Sequence, residues 1–269
     1  MKPKILLVNP PIYDFTAYDF WLKPYGMLTA AGKLRNSSHL FLFDYLDKIN
    51  TKDKEKITPK FDKWGRGPFY AEQIDKPEIF TGIPRIFRRF GAKSSRFCQF
   101  LEKNGPFDFV LIQTSMTYWY PGVREVIENA RRYLPCATIL IGGVYATLCP
   151  EHALSLGADH VIPGSNLKTL YNLTGTAPKT YQPPYWEGYR QLDTGVMKLT
   201  KGCPYHCTYC AGDLIDGRFA ARPLGECIED LQLLLRKGVS NIAFYDDALL
   251  YQPESALIPF LEYVLKHNI

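Results

Sequence analysis

Five short apolar runs, separated by segments of helical period, constrain this chain more than any other feature. They are KILLVNPP (4–11), HLFLFDYL (39–46), DFVLIQTSM (108–116), ATILIGG (137–143) and DHVIPG (159–164). Apolar residues at consecutive positions mark strands buried on both faces, as in a parallel sheet. Between the runs, residues 24–37 place Met27, Ala30, Ala31 and Leu34 at helical spacing, and residues 123–134 set Val123, Val126, Ile127, Ala130 and Leu134 on one face. Shorter helices are expected at EHALSLG, capped by Gly157, and at LKTLYNLTG. Strand–helix alternation of this kind predicts an α/β fold, an open parallel sheet wrapped by helices.

Ligands of such sheets bind beyond the carboxyl ends of the strands. Pro10, Pro11, Ser115, Thr117, Gly142, Gly143 and Gly164 fall there. Their small size suits close backbone approach to a large flat ligand, and it equally suits simple turns. Residues 47–104 interrupt the alternation with Lys, Arg, Gly, Pro and Phe. They read as an insertion over one edge or over the ligand face, with helix expected from Pro84 onward. Its basic residues Arg85, Arg88, Arg89, Lys93 and Arg96 read as a solvated helix face rather than a nucleic-acid or membrane contact.

After a front unit at 1–175, residues 176–193 are rich in proline and aromatics, as in a semi-extended linker. A second unit spans 194–269. A strand, GVMKLTKGC, runs into a cysteine-bearing loop. A helix follows at 224–239, with Ile228, Leu231, Leu234 and Leu235 on one face, then the strand and loop NIAFYDDAL and a helix at 254–268. The order is that of two βα units, the beginning of a parallel α/β barrel. About 60 residues follow the last cysteine of the loop. Two units fit in that length and cannot close a barrel, so the chain is expected to be part of a longer protein.

The net charge of +5 is mild, and no stretch reaches transmembrane length. The N-terminal apolar run is too short for a signal peptide. Seven cysteines without an export signal indicate a reducing compartment, the cytoplasm, where clustered thiols more often bind metal than pair. Cys203, Cys207 and Cys210 lie within eight residues, with Gly202 and Pro204 bending the chain into them. A structural zinc site needs four ligands. His206 is available, but the three-residue and two-residue gaps lack the two-pair layout of zinc modules. A four-iron cluster carries one thiolate per iron, so three thiols leave one iron open to a ligand. Tyr209 precedes Cys210, where its ring can cover that ligand. Cys227 stands alone on a helix and reads as a core residue.

CPYHCTYC resembles the cluster loop of the radical S-adenosylmethionine (SAM) superfamily, with Cys203, Cys207, Tyr209 and Cys210 at the family's positions directly after a strand. The resemblance implies a [4Fe-4S] cluster that cleaves SAM reductively to methionine and a 5′-deoxyadenosyl radical. It implies SAM contacts from Gly202, Tyr209, Asp246 and Asp247, the last two also explicable as turn residues. It further implies an electron donor such as flavodoxin or ferredoxin and a small-molecule or peptide substrate. Membrane and nucleic-acid partners are not implied. The front unit resembles the Rossmann-like, flavodoxin-like cobalamin-binding domain of B12-dependent relatives, through NPP, TSMT and GGVYATLCPE after its first, third and fourth strands. That implies cobalamin near Pro10, Ser115, Thr117, Gly142 and Gly143, and methyl transfer or related radical chemistry. The chain departs from the relatives in two places. The stretch from Pro10 to Gly26 has no histidine where many carry a cobalt ligand, and PGSN stands where Gly-Glu-Gly-Glu is common.

Overall fold

In the computed structural model, residues 2–48, 61–164, 166–176 and 180–269 are described. Parts of the expected insertion (49–60) and linker (177–179), and Ser165 of PGSN, lie outside them. In chain order the elements are β1 (Lys4–Asn9), β2 (Ile12–Asp14), β3 (Tyr18–Asp19), α1 (Tyr25–Leu34), β4 (His39–Asp44), β5 (Gly67–Pro68), β6 (Ala71–Gln73), β7 (Arg88–Phe90), α2 (Ser94–Asn104), β8 (Phe109–Thr114), α3 (Tyr120–Tyr133), β9 (Thr138–Gly143), α4 (Val144–Leu148), α5 (Pro150–Ser155), β10 (His160–Ile162) and α6 (Lys168–Thr174). The rear part adds β11 (Thr194–Met197), β12 (Thr200–Lys201), α7 (Gly212–Ile215), β13 (Ala220–Ala221), α8 (Leu224–Arg236), β14 (Asn241–Phe244) and α9 (Leu257–Lys266).

The main sheet is parallel throughout, in the order β4-β1-β8-β9-β10. That is the doubly wound order 2-1-3-4-5, with its switch point between β1 and β8. Alternation of side chains across the sheet divides each apolar run between two cores. Leu6, Val8, Val110, Ile112, Ile139 and Ile141 face α2 and α3, meeting Phe97, Leu101, Val126 and Ile127. Ile5, Leu7, Leu111 and Leu140 face α1 and α6, meeting Met27, Ala31, Leu34 and Leu170. Ile5 through Val8 are completely buried, which explains why β1 is apolar at its four central positions.

Tertiary pairing overrides the expected helix from Pro84. Arg88–Phe90 is a strand, antiparallel to both β2 and β6, and helix begins only at Ser94. The basic segment is not one solvated helix face either. Arg89 is buried and makes a two-pronged ion pair with Glu125, at 2.7 and 2.8 Å. Phe69 and Phe90 of the insertion pack on Ile12 and Leu46, on the ligand side of the sheet.

The proline-aromatic segment is bound along its described length. Arg35 donates to the carbonyls of Pro183 and Pro184 at 3.0 and 3.2 Å, and the Tyr185 hydroxyl donates to the Leu40 carbonyl at 3.2 Å. Gly32 allows this approach, since a Cβ there would lie 2.1 Å from the Pro183 oxygen. Trp186, Tyr189 and Leu192 then share one core with Leu28 of α1 and with Val196, Leu234 and Val239 of the rear part. In that rear part β11 and β14 pair in parallel, with α8 crossing between them.

Candidate cofactor site

The strand leading to the cysteines is broken rather than straight. β11 ends at Met197, and Leu199 and Thr200 turn onto the carboxylate of Asp246. Its Oδ1 accepts the Leu199 N–H (2.9 Å), the Thr200 N–H (2.5 Å) and the Thr200 hydroxyl (2.6 Å). The chain then pairs as β12 with β13 and enters the loop through Gly202. Gly202 has φ +64°, and a Cβ on it would lie 2.2 Å from the Gly217 carbonyl oxygen, so only glycine fits. Cys203 bridges to Arg218, and Lys198 pairs with Asp216. The result is a loop closed at its foot and open at its tip, in the manner of an Ω-loop.

Cys203 sits half-buried at that foot, whereas Cys207 and Cys210 are exposed near the tip. A turn joins the latter two, with the Cys210 N–H donating to the Cys207 carbonyl at 3.0 Å. The Gly212 N–H donates to the Cys210 sulfur at 3.4 Å. His206 and Asp213 are hydrogen-bonded across the tip, Nδ1 to Oδ2, at 2.7 Å. Among the described residues no group of three or more His, Cys, Asp and Glu side chains is arranged to hold a metal ion. The fit to an iron–sulfur cluster therefore lies in the donor chemistry, three free thiols in eight residues, two of them open to solvent. Tyr209 is 90% exposed and its ring covers nothing. Asp246 Oδ2 is buried without a hydrogen-bond partner, while Asp247 is exposed. Cys227 is buried, and burial pushes its thiol up to about 11, which keeps it unreactive.

The carboxyl edge of the main sheet carries a cavity at the switch point. Asn9, Pro10, Ile12, Ser115, Met116 and Trp119 are among its lining residues. Its wall combines apolar residues with Asn9, Gln113 and Ser115 as polar points. Pro10 and Ser115 are thus brought together. Thr117 begins a one-turn helix beside them. Gly142 and Gly143 end β9 and do not line the cavity. Gly143, at φ +112°, would carry a Cβ 2.1 Å from the Thr114 oxygen, so strand packing alone requires glycine there. No histidine lines the cavity. His152 is bonded to the Tyr145 hydroxyl at 2.6 Å, and His160 opens β10. A Cβ at Gly164, after β10, would lie 3.0 Å from the Leu214 oxygen of α7. The cysteine loop's own helix therefore meets the sheet on its carboxyl side, beside the end of the edge strand β10.

Two buried polar knots fix this arrangement; from sequence Arg222 could bind a carboxylate or pair with nearby acids, and the structure shows the latter, whereas the Asp44 knot is not foreseen. Asp44, at the end of β4, accepts from Asn9 (2.8 Å) and the Leu46 N–H (2.9 Å) on one oxygen, and from the Tyr189 hydroxyl (2.5 Å) on the other. Burial raises its pKa to about 6, and nearby Lys23 opposes the rise. Arg222, beyond the loop's foot, donates to the Lys198 carbonyl (2.6 Å), to Asp230 (2.9 Å) and to the Tyr181 hydroxyl (2.7 Å). The one available hint was an acid closing an apolar strand, a placement that demands partners when buried. Two of these partners, Tyr189 and Tyr181, lie 145 residues from Asp44 and 41 from Arg222, beyond any local pattern.

Comparison with known proteins converges on this geometry. A family model for the B12 binding domain matches residues 86–173. The tryptophan- and SAM-analogue-bound radical SAM methyltransferase TsrM from Kitasatospora setae superposes with a TM-score of 0.64 at 14% identity, covering 98% of this chain and 51% of that one. The same enzyme with cobalamin and a [4Fe-4S] cluster bound gives 0.63, covering 99% and 51%. Residues 86–173 thus match the B12-binding domain family, and the chain shares its fold with part of those radical SAM methyltransferase structures. In sequence it is similar to ribosomal protein uS12 methylthiotransferases RimO. The one from Phocaeicola vulgatus is 36% identical over 55 residues, 20% of this chain and 13% of that one. The one from Desulfotalea psychrophila is 22% identical over 121 residues, 45% and 26%. The chain thus spans about half of the solved neighbours and matches a smaller share of the curated relatives. The B12-binding match begins at residue 86, yet β1 and β4, ahead of it, complete the same sheet.

Proposed function

We propose that this chain is the cofactor-bearing part of a radical SAM enzyme, binding a [4Fe-4S] cluster through Cys203, Cys207 and Cys210, SAM beside it, and cobalamin over the carboxyl edge of the main sheet. The observation that carries the reading is the placement of a three-thiol loop, closed at its foot, on the carboxyl side of a B12-binding-type sheet. When bound, the cluster supplies the electron that cleaves SAM, and cobalamin supplies a carrier for a methyl group.

The protein's own residues supply position and surroundings. Gly202 and the Cys203–Arg218 bridge seat the first thiol, and the Cys207–Cys210 turn sets the spacing of the other two. Asp246 has one oxygen committed to Leu199 and Thr200, leaving Oδ2 as the acceptor for the SAM amino group; Asp247 and Tyr209 have exposed side chains for the rest of the cofactor. Pro10 and Ser115 offer apolar and hydroxyl contact to an edge of cobalamin. No imidazole lines the cavity, so its residues would hold cobalamin by contact rather than through a histidine ligand. Thr117, Gly142 and Gly143 border this surface from the ends of β8 and β9.

The reaction class is methyl transfer or a related radical transfer to a small molecule or peptide, with flavodoxin or ferredoxin as electron donor in the cytoplasm. In this reading 1–175 is the B12-binding-type unit and 194–269 the start of the radical SAM unit. Among the described residues no helix is long and apolar enough to cross a membrane. Anaerobic reconstitution of the full chain tests the reading. About four iron and four sulfide per chain with broad absorption near ~400 nm are expected, together with saturable binding of hydroxocobalamin. Stoichiometric zinc in a colourless protein contradicts it.

A further inference from the structure

We propose that His206 and Asp213 are positioning residues that hold the tip of the cysteine loop closed for cluster assembly, an inference that rests on the cluster reading above. The loop has two tiers. Its foot is closed by the β12–β13 pairing, the Cys203–Arg218 bridge and the Lys198–Asp216 ion pair. The tip, which carries Cys207 and Cys210, lies beyond all three. One side-chain bond spans it, from His206 Nδ1 to Asp213 Oδ2 at 2.7 Å. Inside that closure stand both exposed thiols, with the Cys207–Cys210 turn and the Gly212 N–H on the Cys210 sulfur.

The contact reassigns His206. Its ring nitrogen faces a carboxylate from the first turn of α7 rather than joining the thiols. The bond therefore acts on the loop's shape, lowering the entropy that the cluster must overcome to gather the two outer sulfurs. Because both partners are exposed, the effect is modest, about two- to five-fold in retention. The neutral imidazole suffices as donor, so no proton uptake is involved. An asparagine at 206 places an amide nitrogen where the ring Nδ1 stands, attached to the same Cγ, and should make the same bond to Asp213.

The test uses the full chain, reconstituted anaerobically as wild type, His206→Ala, Asp213→Ala and His206→Asn. Iron loss to bathophenanthroline disulfonate is followed in time, beside thermal unfolding of each. The expected result is loss about two- to five-fold faster in both alanine variants, wild-type loss in His206→Asn, and the same unfolding midpoint in all four. Equal rates across the set overturn the inference while leaving the cluster reading intact. Fast loss in His206→Asn as well overturns it too, because the imidazole then acts other than through this bond. Failure of the wild type to take up iron overturns the cluster reading and the inference with it.

Discussion

The main sheet and the cysteine loop are stabilised in opposite ways. The strands of the sheet are fixed many times over, by ladder pairing on both flanks of β1, β8 and β9 and by apolar cores on both faces of the sheet. The loop is tied firmly at its foot and, at its tip, by the exposed His206–Asp213 bond, with Cys207 and Cys210 standing in solvent. The sheet is held by its own side chains, whereas the tip of the loop has few contacts of its own. Stability and binding should therefore separate cleanly between the two regions.

The sharpest way to break this contrast is at the joint between them. Arg222→Met leaves the buried Asp230 without its cationic partner and with only the Tyr181 hydroxyl on it, so unfolding should become easier by about 3–5 kcal/mol, read by urea denaturation. A wild-type midpoint would mean that the loop's foot is not tied to α8 and Tyr181 as described. Within the sheet, Leu6→Ala should cost about 2–5 kcal/mol, measured the same way, with iron uptake per folded chain unchanged.

Asp44 separates the regions by pH. Its pKa is raised in the folded state, to about 6 from an ordinary 3.8, so the folded protein holds that proton more tightly than the unfolded chain. Its contribution is most favourable below the unfolded value and falls as pH rises through about 6. Two units correspond to roughly 3 kcal/mol. Asp44→Asn should therefore gain stability relative to wild type between pH 4 and pH 7, and a difference flat with pH would remove Asp44 from the account. The smallest effect on stability belongs to the loop. Cys207→Ser should shift unfolding by less than about 0.5 kcal/mol and yet abolish a normal iron content.

The same contrast governs what could be read from the sequence. Strand and helix periods in the front half are local consequences of burial on two faces, so β1, β4, β8, β9, β10 and α3 are legible residue by residue. The cysteine grouping is legible because three thiols within eight residues stand out in any sequence. β2, β6 and β7 are not, because three-residue strands are too short to show a period and exist only by pairing across long separations. The break at Lys198–Leu199 is equally hidden, since the Asp246 carboxylate that causes it arrives from 46 or 47 residues away. Small residues at the strand ends are ambiguous in sequence, and at Gly143 the structure assigns the need to the Thr114 backbone.

The central claim is that the three thiols leave one iron of the cluster for SAM. The most direct measurement is pulsed electron–nuclear resonance on the reduced, reconstituted full chain with SAM labelled by nitrogen-15 at its amino group. The account predicts a hyperfine coupling from that nitrogen to the cluster, lost when Cys207 is replaced by serine. A cluster whose spectrum is the same with and without SAM would contradict it.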